Sequence, residues 1–445
     1  MAKPRRCGCL SQEIGYTPGQ HIDTQGEAPG GAARLGMAET TVGAVARPQS
    51  SFQDVLVVSF GHALTHWYPA TFYLLLPLIG RDLGLSYAQV GSILTCQFAA
   101  GAIANIPGGL LVDTVGRKGL LMAISLSWIG IPYLVMGVSH VYWMMLACAM
   151  LVGIGNNLWH PTAIPWLANR FPRRKGLVMS IHGMGGNVGD ALAPLVIGAL
   201  LATYSWRSVV LMNVLPGIVM AVFILIYVSR ASDTEPPAAR KAPAMSGAER
   251  LHSLGLLVKN RAFVTLAIGS GFRSMTQSAL LTFLPLYLAH EMGYSPGWIG
   301  ACMFALQAAG FAAAPIAGHL SDSVGRRQVI MSSMAMTAVV IVVMAFAGGT
   351  PWFVALVAVL GFFLFAVRAV LQAWMLDATP PGMGGSAIGL LFSTQAAGAA
   401  IGPISAGLVA DHFGLMAAFY FTAGTIVLAN LLVFATPATL MKRDL

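Results

Sequence analysis

The chain has 445 residues, of which 56% are hydrophobic and only 9% are charged, with a mean hydropathy of +0.73 and a net charge of +9. Because soluble domains carry roughly 25% charged residues, this composition excludes an ordinary soluble enzyme, a disordered protein and a nucleic-acid-binding protein. The basic residues lie in short clusters between apolar runs, which is typical of loops in membrane proteins.

Residues 1–50 form the first predicted segment. They are polar and contain many Gly, Ala and Pro residues, and no apolar stretch follows the basic residues near the start. Since a cleaved signal peptide requires such a stretch, we expect a disordered cytosolic tail, whose composition offers too little apolar surface to bury.

Twelve apolar segments follow, each close to the ~20 residues that cross a bilayer. They must be helices, because lipid cannot satisfy the hydrogen-bonding groups of the backbone. Ser51, followed three residues later by Asp54, predicts a capping box at the first helix. The predicted spans are 54–79, 87–111, 119–138, 141–168, 176–203, 206–229, 262–289, 296–320, 328–347, 351–377, 386–410 and 415–437.

Charge sets the predicted orientation of these spans. With the N-terminus inside, the external loops contain only Arg81 and Arg207, whereas the internal loops and the C-terminal tail contain most of the other Lys and Arg residues. This asymmetry indicates that both termini are cytosolic. Trp143, Trp298 and Trp352 lie at outer ends of spans, as in an aromatic belt.

The stretch 230–261 differs in composition from the spans on either side. It contains several Pro and charged residues and separates six spans from six. We interpret it as a cytosolic linker between an N-terminal six-helix bundle, residues 51–229, and a C-terminal six-helix bundle, residues 262–440.

An internal repeat relates the two halves. Segment 109–118 (GLLVDTVGRK) and segment 318–327 (GHLSDSVGRR) share a pattern at a separation of 209 positions. The same offset relates Gly84 to Gly293 and Gly189 to Gly398. One offset kept in several regions indicates a duplication. The predicted fold class is therefore an all-α membrane protein with twelve transmembrane helices in two pseudo-symmetric six-helix bundles.

The repeated pattern resembles the signature of the Major Facilitator Superfamily, in which it follows spans 2 and 8. The resemblance extends over residues 51–440 and implies alternating access around a site between the halves. Small residues would allow close helix approach, and the carboxylate would pair with basic groups or a helix N-terminus; the alternative is a loop whose charge only sets topology. The implied gating residues are Gly109, Asp113, Gly116, Arg117, Lys118, Gly318, Asp322, Gly325, Arg326 and Arg327.

Patterns in the first half are similar to the fosmidomycin-resistance branch of that superfamily. They are WHPTA at 159–163, RKGLVMS at 174–180 and GGNVGDALAP at 185–194. The glycine–proline pattern of span 11 also resembles a signature of antiporters. The resemblance implies export of an anionic phosphonate or a related small molecule.

Four ionisable residues, His66, Asp190, Arg273 and Arg368, fall near the middle of spans 1, 5, 7 and 10. A charge at that depth costs roughly 2.5–3.5 kcal/mol, which indicates a partner or a function. Two guanidinium groups suit the oxygens of a carboxylate or phosphonate. The alternative is an ion pair between Asp190 and an arginine that only fastens the halves together.

His62 and His66 share one face of span 1 because they are four residues apart. They could relay protons, contact substrate or only pack; zinc would need further ligands, and no local spacing supplies them. Asp190 and His62 are the expected proton-coupling residues. The expected substrate-binding residues are His66, Asn157, His160, Asn187, Arg273, Gln277 and Arg368.

These observations predict a proton-coupled exporter of small organic anions or drugs, working as a monomer in a bacterial inner membrane. Its expected partners are the substrate, protons and lipids, with no cofactor and no metal. The alternative is proton-coupled uptake of an organic acid, because the same arginines would serve it. An intramembrane enzyme is disfavoured, since no nucleophile–base arrangement is present, and a passive channel is disfavoured by the duplicated gating pattern.

Overall fold

A computed structural model describes residues 51–115, 117–232, 255–347, 350, 352–379 and 384–436. The predicted tail, residues 1–50, and most of the predicted linker lie outside this part of the chain. The helices are α1 (Phe52–Asp82), α2 (Tyr87–Val115), α3 (Lys118–Val138), α4 (Tyr142–Arg170), α5 (Lys175–Leu201), α6 (Trp206–Met212), α7 (Val214–Ser232), α8 (Arg261–His290), α9 (Pro296–Val324), α10 (Arg326–Phe346), α11 (Trp352–Asp377), α12 (Gly384–Phe413) and α13 (Leu415–Phe434).

These helices supply the twelve predicted spans, with α6 and α7 forming one of them. Eight spans are long and apolar enough to cross a membrane by length and composition alone. The four long helices outside that set are α1, α2, α4 and α8, which carry many of the polar side chains described below. Large apolar side chains such as Phe346, Trp143 and Trp352 are exposed on the outer surface. Such side chains are compatible with contact to lipid.

Each half is built on the same helix pairs. In the first half α1 packs on α5 and α2 on α4; in the second half α8 packs on α12 and α9 on α11. Glycines permit these contacts: a Cβ on Gly189 would overlap the carbonyl of Ala63, and a Cβ on Gly398 would overlap that of Gly271. Since Gly189 and Gly398 are related by the 209-residue offset, the structure confirms the duplication.

The turns repeat as well. Gly84 after α1 and Gly293 after α8 both adopt a φ of 63°, a conformation in which a side chain is disfavoured. This pair also obeys the 209-residue offset, so the duplication extends to the local conformation of the backbone.

The halves meet through α2–α12 and α5–α9. We call the end of the molecule where α1 begins the proximal end, and the opposite end the distal end. At the distal end, both carboxylate oxygens of Asp411 accept from the N-terminal amides of α2, from Tyr87 at 2.7 Å and Ala88 at 3.0 Å. The two aligned N–H groups and the helix dipole favour an anion there.

Glycine contacts show where the halves are close. At the distal end, a Cβ on Gly198 of α5 would lie 2.6 Å from the carbonyl oxygen of Pro296 and 3.0 Å from Cα of Gly300 on α9. At the proximal end, no atom of the described residues lies within 4 Å of where a Cβ on Gly109 or on Gly318 would stand. The halves are therefore in close contact at the distal end.

A buried ion pair holds the proximal end of the first half. Asp54 accepts from Nε of Arg170 at 2.9 Å and from the hydroxyl of Tyr227 at 2.9 Å, and the two charged side chains are only 4% and 7% exposed. Asp54 also accepts from the amide of Ser51, whose hydroxyl caps the helix in return, so the predicted capping box is confirmed.

We expect Asp54→Asn to lower the unfolding free energy by about 3 kcal/mol, because removing one member of a buried pair strands the other. Thermal unfolding in detergent measures this. Asp82→Asn is the matched control, since Asp82 pairs with Arg207 at 2.7 Å but is 41% exposed, and exposed pairs contribute about 0–1 kcal/mol. Equal destabilisation by the two variants would contradict the prediction.

Candidate functional site

The contact between α1 and α5 brings a histidine to the mid-membrane carboxylate. His66 donates from Nδ1 to Oδ2 of Asp190 at 2.9 Å, and the two side chains are 24% and 30% exposed. The contact lies about 22 Å along each helix from its proximal end, at 1.5 Å per residue. Asp190 is therefore paired with a histidine of its own half rather than with an arginine.

Three more imidazoles adjoin this pair. Nδ1 of His62 donates to the backbone carbonyl of His182 at 2.6 Å, and Nε2 of His62 lies 3.1 Å from Nε2 of His160. The rings of His62 and His182 stack, with centroids 4.1 Å apart. We call His62, His66, His160 and His182 the histidine cluster; it joins α1, α4 and α5.

Gly186 supplies the space for the cluster. A Cβ at this position would lie 2.8 Å from Cε1 of His62 and 2.9 Å from Nε2 of His66. The sequence singled out Gly186 only as part of a family-like pattern, and the structure provides its physical reason. Any side chain here would displace two imidazoles.

The two predicted arginines occupy different environments. Arg273 of α8 is 2% exposed and donates from Nη2 to the carbonyl of Leu364 on α11 at 3.0 Å. Its Nε is a buried donor with no hydrogen-bond partner among the described residues. Arg368 of α11 is exposed and lies within electrostatic range of both Arg273 and His160. Arg368 is thus a charge of the second half that acts on a histidine of the first half.

A small cavity of about 140 Å³ lies between α2 and α4. Its polar lining comes from amide side chains, and the buried Oε1 of Gln97 and Oδ1 of Asn156 have no hydrogen-bond partner in the described structure. Gln97 and Asn105 were not among the predicted site residues, although they are amides in a span like the predicted Asn157. The lining residues are Pro69, Gln97, Phe98, Ala102, Asn105, Gly153, Asn156, Asn157 and Ala396.

The remaining predicted contact residues lie on α4, α5 and α8. Asn157 lines the cavity and donates to the carbonyl of Gly153 at 3.0 Å. Asn187 is exposed and precedes Asp190 by three positions, so both share one face of α5. Gln277 is half-buried on α8, one turn beyond Arg273.

The predicted gating residues lie at the proximal ends of the helices. Arg326 pairs with Asp377 at 2.7 Å, and Arg327 donates to the carbonyl of Phe434. Gly325 has a φ of +100°, which explains a glycine in this turn. Arg117 and Asp322 are exposed and Lys118 is half-buried. The side chain of Asp113, and Gly116, lie outside the described residues.

The close helix approach predicted at Gly109 stays a prediction. Within the part of the chain that the structure describes, no atom lies within 4 Å of where a Cβ on Gly109 or on its repeat partner Gly318 would stand.

The chain consists of two six-helix halves that are related by one sequence offset and enclose a polar site. These features agree with one protein family. The model of the Major Facilitator Superfamily matches residues 56–313 and 266–444. The chain belongs to the Major Facilitator Superfamily. It is thus a multi-pass membrane protein and a transporter of a small molecule, not an enzyme.

Relatives in this superfamily have varied substrates. The chain is 24% identical over 389 residues to the fosmidomycin resistance protein of Escherichia coli (strain K12), covering 87% of this chain and 94% of that protein. It is 25% identical over 377 residues to the hexuronate transporter of Bacillus subtilis (strain 168), covering 80% and 87%. A bacterial homologue of the human lysosomal transporter Spinster, solved in an inward-facing, occupied conformation, has a TM-score of 0.75 at 17% identity, covering 87% and 97%. This last similarity shows the fold.

We expect Gly186→Ala to disturb the histidine cluster. Ordinary contacts between carbon atoms begin near 3.5 Å, so the rings must move by roughly 0.6 Å, and overpacking of this kind typically costs about 1–3 kcal/mol. Thermal unfolding in detergent, with NMR of ¹⁵N-labelled imidazoles, measures both effects.

Gly183→Ala is the matched control for that substitution. Gly183 lies one turn away on α5 and has no atom within 4 Å of the added Cβ. Unchanged imidazole resonances in Gly186→Ala, or equal shifts in both variants, would contradict the assigned packing.

Proposed function

We propose that this transporter carries small organic anions and that Arg368 binds the anion. The observation that supports this proposal is an exposed guanidinium on α11 within range of His160 on α4. A substrate bound there touches both halves, as alternating access requires. Because Asp190 is already engaged by His66, it does not neutralise Arg368 through direct contact.

Arg273 supports anion binding indirectly in this proposal. Its buried guanidinium raises the positive potential around Arg368, which favours a carboxylate or phosphonate at a site of low dielectric constant. Asn157, Asn187 and Gln277 supply uncharged hydrogen-bonding groups around the anion, and His66 and His160 contact it from the first half.

We further propose that the transporter is an exporter driven by protons. The similarity to the fosmidomycin resistance protein, which extends over 94% of that relative, supports export of a phosphonate-like anion. In this scheme ionised Asp190 accepts from Nδ1 of His66 in its imidazolium form, and the Nε2–H of His66 donates to the substrate. Protonation of Asp190 weakens that hydrogen bond, His66 leaves the anion, and the anion is released as the proton binds.

Uptake by proton symport is the second candidate, and the charges of the site favour it. Asp190 can instead act on the anion by electrostatic repulsion rather than through His66. In that case protonation of Asp190 makes the cavity more positive and strengthens anion binding. The proton and the anion then travel together. The similarity to a hexuronate transporter also agrees with this direction.

The topology completes the proposal. The proximal end faces the cytosol of a bacterial cell, because the basic loops lie there, and the protein works as a monomer. When the cavity opens to the outside of the cell, the helix faces that carry Gly109 and Gly318 pack against the opposite half. His62 passes protons between His160 and the pair formed by His66 and Asp190.

The role of Arg368 is tested by growth of an exporter-deficient bacterium on fosmidomycin. We expect the wild-type protein to raise the tolerated concentration and Arg368→Ala to abolish the effect. Charge-assisted hydrogen bonds contribute about 1.5–3 kcal/mol, which equals a roughly 10- to 100-fold loss of affinity.

Arg173→Ala is the matched control for that experiment, since Arg173 is exposed in the α4–α5 loop. No protection by wild-type protein that is present in the membrane would reject the phosphonate. Protection that survives in Arg368→Ala would reject the proposed anion contact.

The direction of coupling is tested by anion binding to Asp190→Asn, which mimics the protonated carboxyl. Export predicts that the variant binds fosmidomycin about tenfold more weakly than wild type, since a contact through His66 worth roughly 1.5 kcal/mol is lost. Symport predicts equal or tighter binding. Asp82→Asn is the control, because it removes an exposed carboxylate outside the site; equal effects of the two substitutions would argue against a specific role for Asp190.

A further inference from the structure

Three imidazoles of the histidine cluster offer nitrogen atoms to one point. His62 and His66 lie on one face of α1, and His160 lies opposite on α4. One ring nitrogen from each is within 4.8 Å of the others, and the side chains are buried or half-buried. Imidazole is the commonest metal ligand in proteins.

The opposite ring nitrogens are already oriented. A carbonyl oxygen can only accept, so Nδ1 of His62 carries the proton donated to His182, and its Nε2 presents a lone pair. When the ring of His66 is neutral, its Nδ1 donates to the carboxylate of Asp190 and its Nε2 is an acceptor. Metal-binding histidines almost always have their second nitrogen on a carbonyl or carboxylate in this way.

The spacing of the first two ligands fits a metal ion. Nε2 of His62 and Nε2 of His160 are 3.1 Å apart. With metal–nitrogen distances of about 2.0–2.1 Å, two such atoms subtend an angle of about 98° at the ion, between the octahedral and tetrahedral values. The ligand nitrogen of His66 lies within 4.8 Å of these two atoms, so coordination by all three requires a movement of the His66 ring.

We propose that His62, His66 and His160 bind one divalent transition-metal ion, such as Zn²⁺, within the histidine cluster. Three neutral imidazoles suit zinc and its neighbours better than Mg²⁺ or Ca²⁺, which prefer oxygen. Three protein ligands leave a fourth position for water or an oxygen of a small anion. All three ligands belong to the first half, so the site does not depend on contact between the halves.

The proposal is tested by calorimetric titration of the purified full-length protein with ZnCl₂ in detergent, after removal of any histidine tag. We expect one ion per chain, and at least a tenfold loss of affinity in His66→Gln and in His160→Gln. Asp190→Asn leaves all three ligands in place and should still weaken binding by about 10- to 100-fold, as loss of an outer partner does.

His319→Gln is the matched control, because His319 is exposed near the proximal end of α9, away from the cluster. It should bind zinc like the wild type. The visible spectrum of bound Co²⁺ adds a readout of ligand type and geometry that a merely misfolded variant does not reproduce. Stoichiometric binding that is unchanged in His66→Gln and His160→Gln, or no binding by folded wild-type protein, would overturn the proposal. Because binding is measured without transport, its failure is independent of the proposed anion export.

Discussion

The close packing of α1 against α5 is the contact on which the rest of the site depends. Gly185 and Gly189 bring α5 onto the carbonyls of Ser59 and Ala63, and Gly186 lies beneath the imidazoles. In lipid there is little hydrophobic force between helices, so small residues and van der Waals contact supply the association. This approach places Asp190 within hydrogen-bonding distance of His66. A bulkier α5 would keep the helices apart and leave both groups in the membrane without a partner.

Several buried polar groups lack hydrogen-bond partners in the part of the chain that the structure describes, and they therefore reduce the stability of the fold. A buried polar atom left unsatisfied costs roughly 1–3 kcal/mol, so a membrane protein retains few without a reason. Among the described residues, such atoms include the ring nitrogens of His182, Nε of Arg273, Oε1 of Gln97 and Oδ1 of Asn156. They lie on α2, α4, α5 and α8, close to the space between the halves. A polar ligand that hydrogen-bonds to these atoms would recover the free energy that their lack of partners costs, and this would strengthen its binding.

Hydropathy and the repeat predicted most of the architecture, because both are local or periodic properties. The predicted spans agree with the helices to within a few residues, and the 209-residue offset anticipated the shared φ of Gly84 and Gly293. The depth of each side chain in the membrane was also predictable, because it depends on the position of the residue along its helix. The pairing of side chains was not: whether Asp190 meets a histidine or an arginine depends on helix rotation and on neighbours over 100 positions away. For the same reason no local spacing revealed His160 as a companion of His62.

The proposed alternating access requires one sequence pattern to serve two conformations. Distal glycines such as Gly198 are packed against the opposite half, whereas no described atom lies within 4 Å of where a Cβ on proximal Gly109 or Gly318 would stand. Duplication makes each half carry equivalent surfaces, so closing the proximal end needs contacts of the same kind as those that now close the distal end. The carboxylate of Asp411 on the N-terminus of α2 shows one such contact already formed. Because a helix N-terminus attracts an anion without a specific side-chain partner, the contact can form and break as rigid halves rock, with little rearrangement within either half.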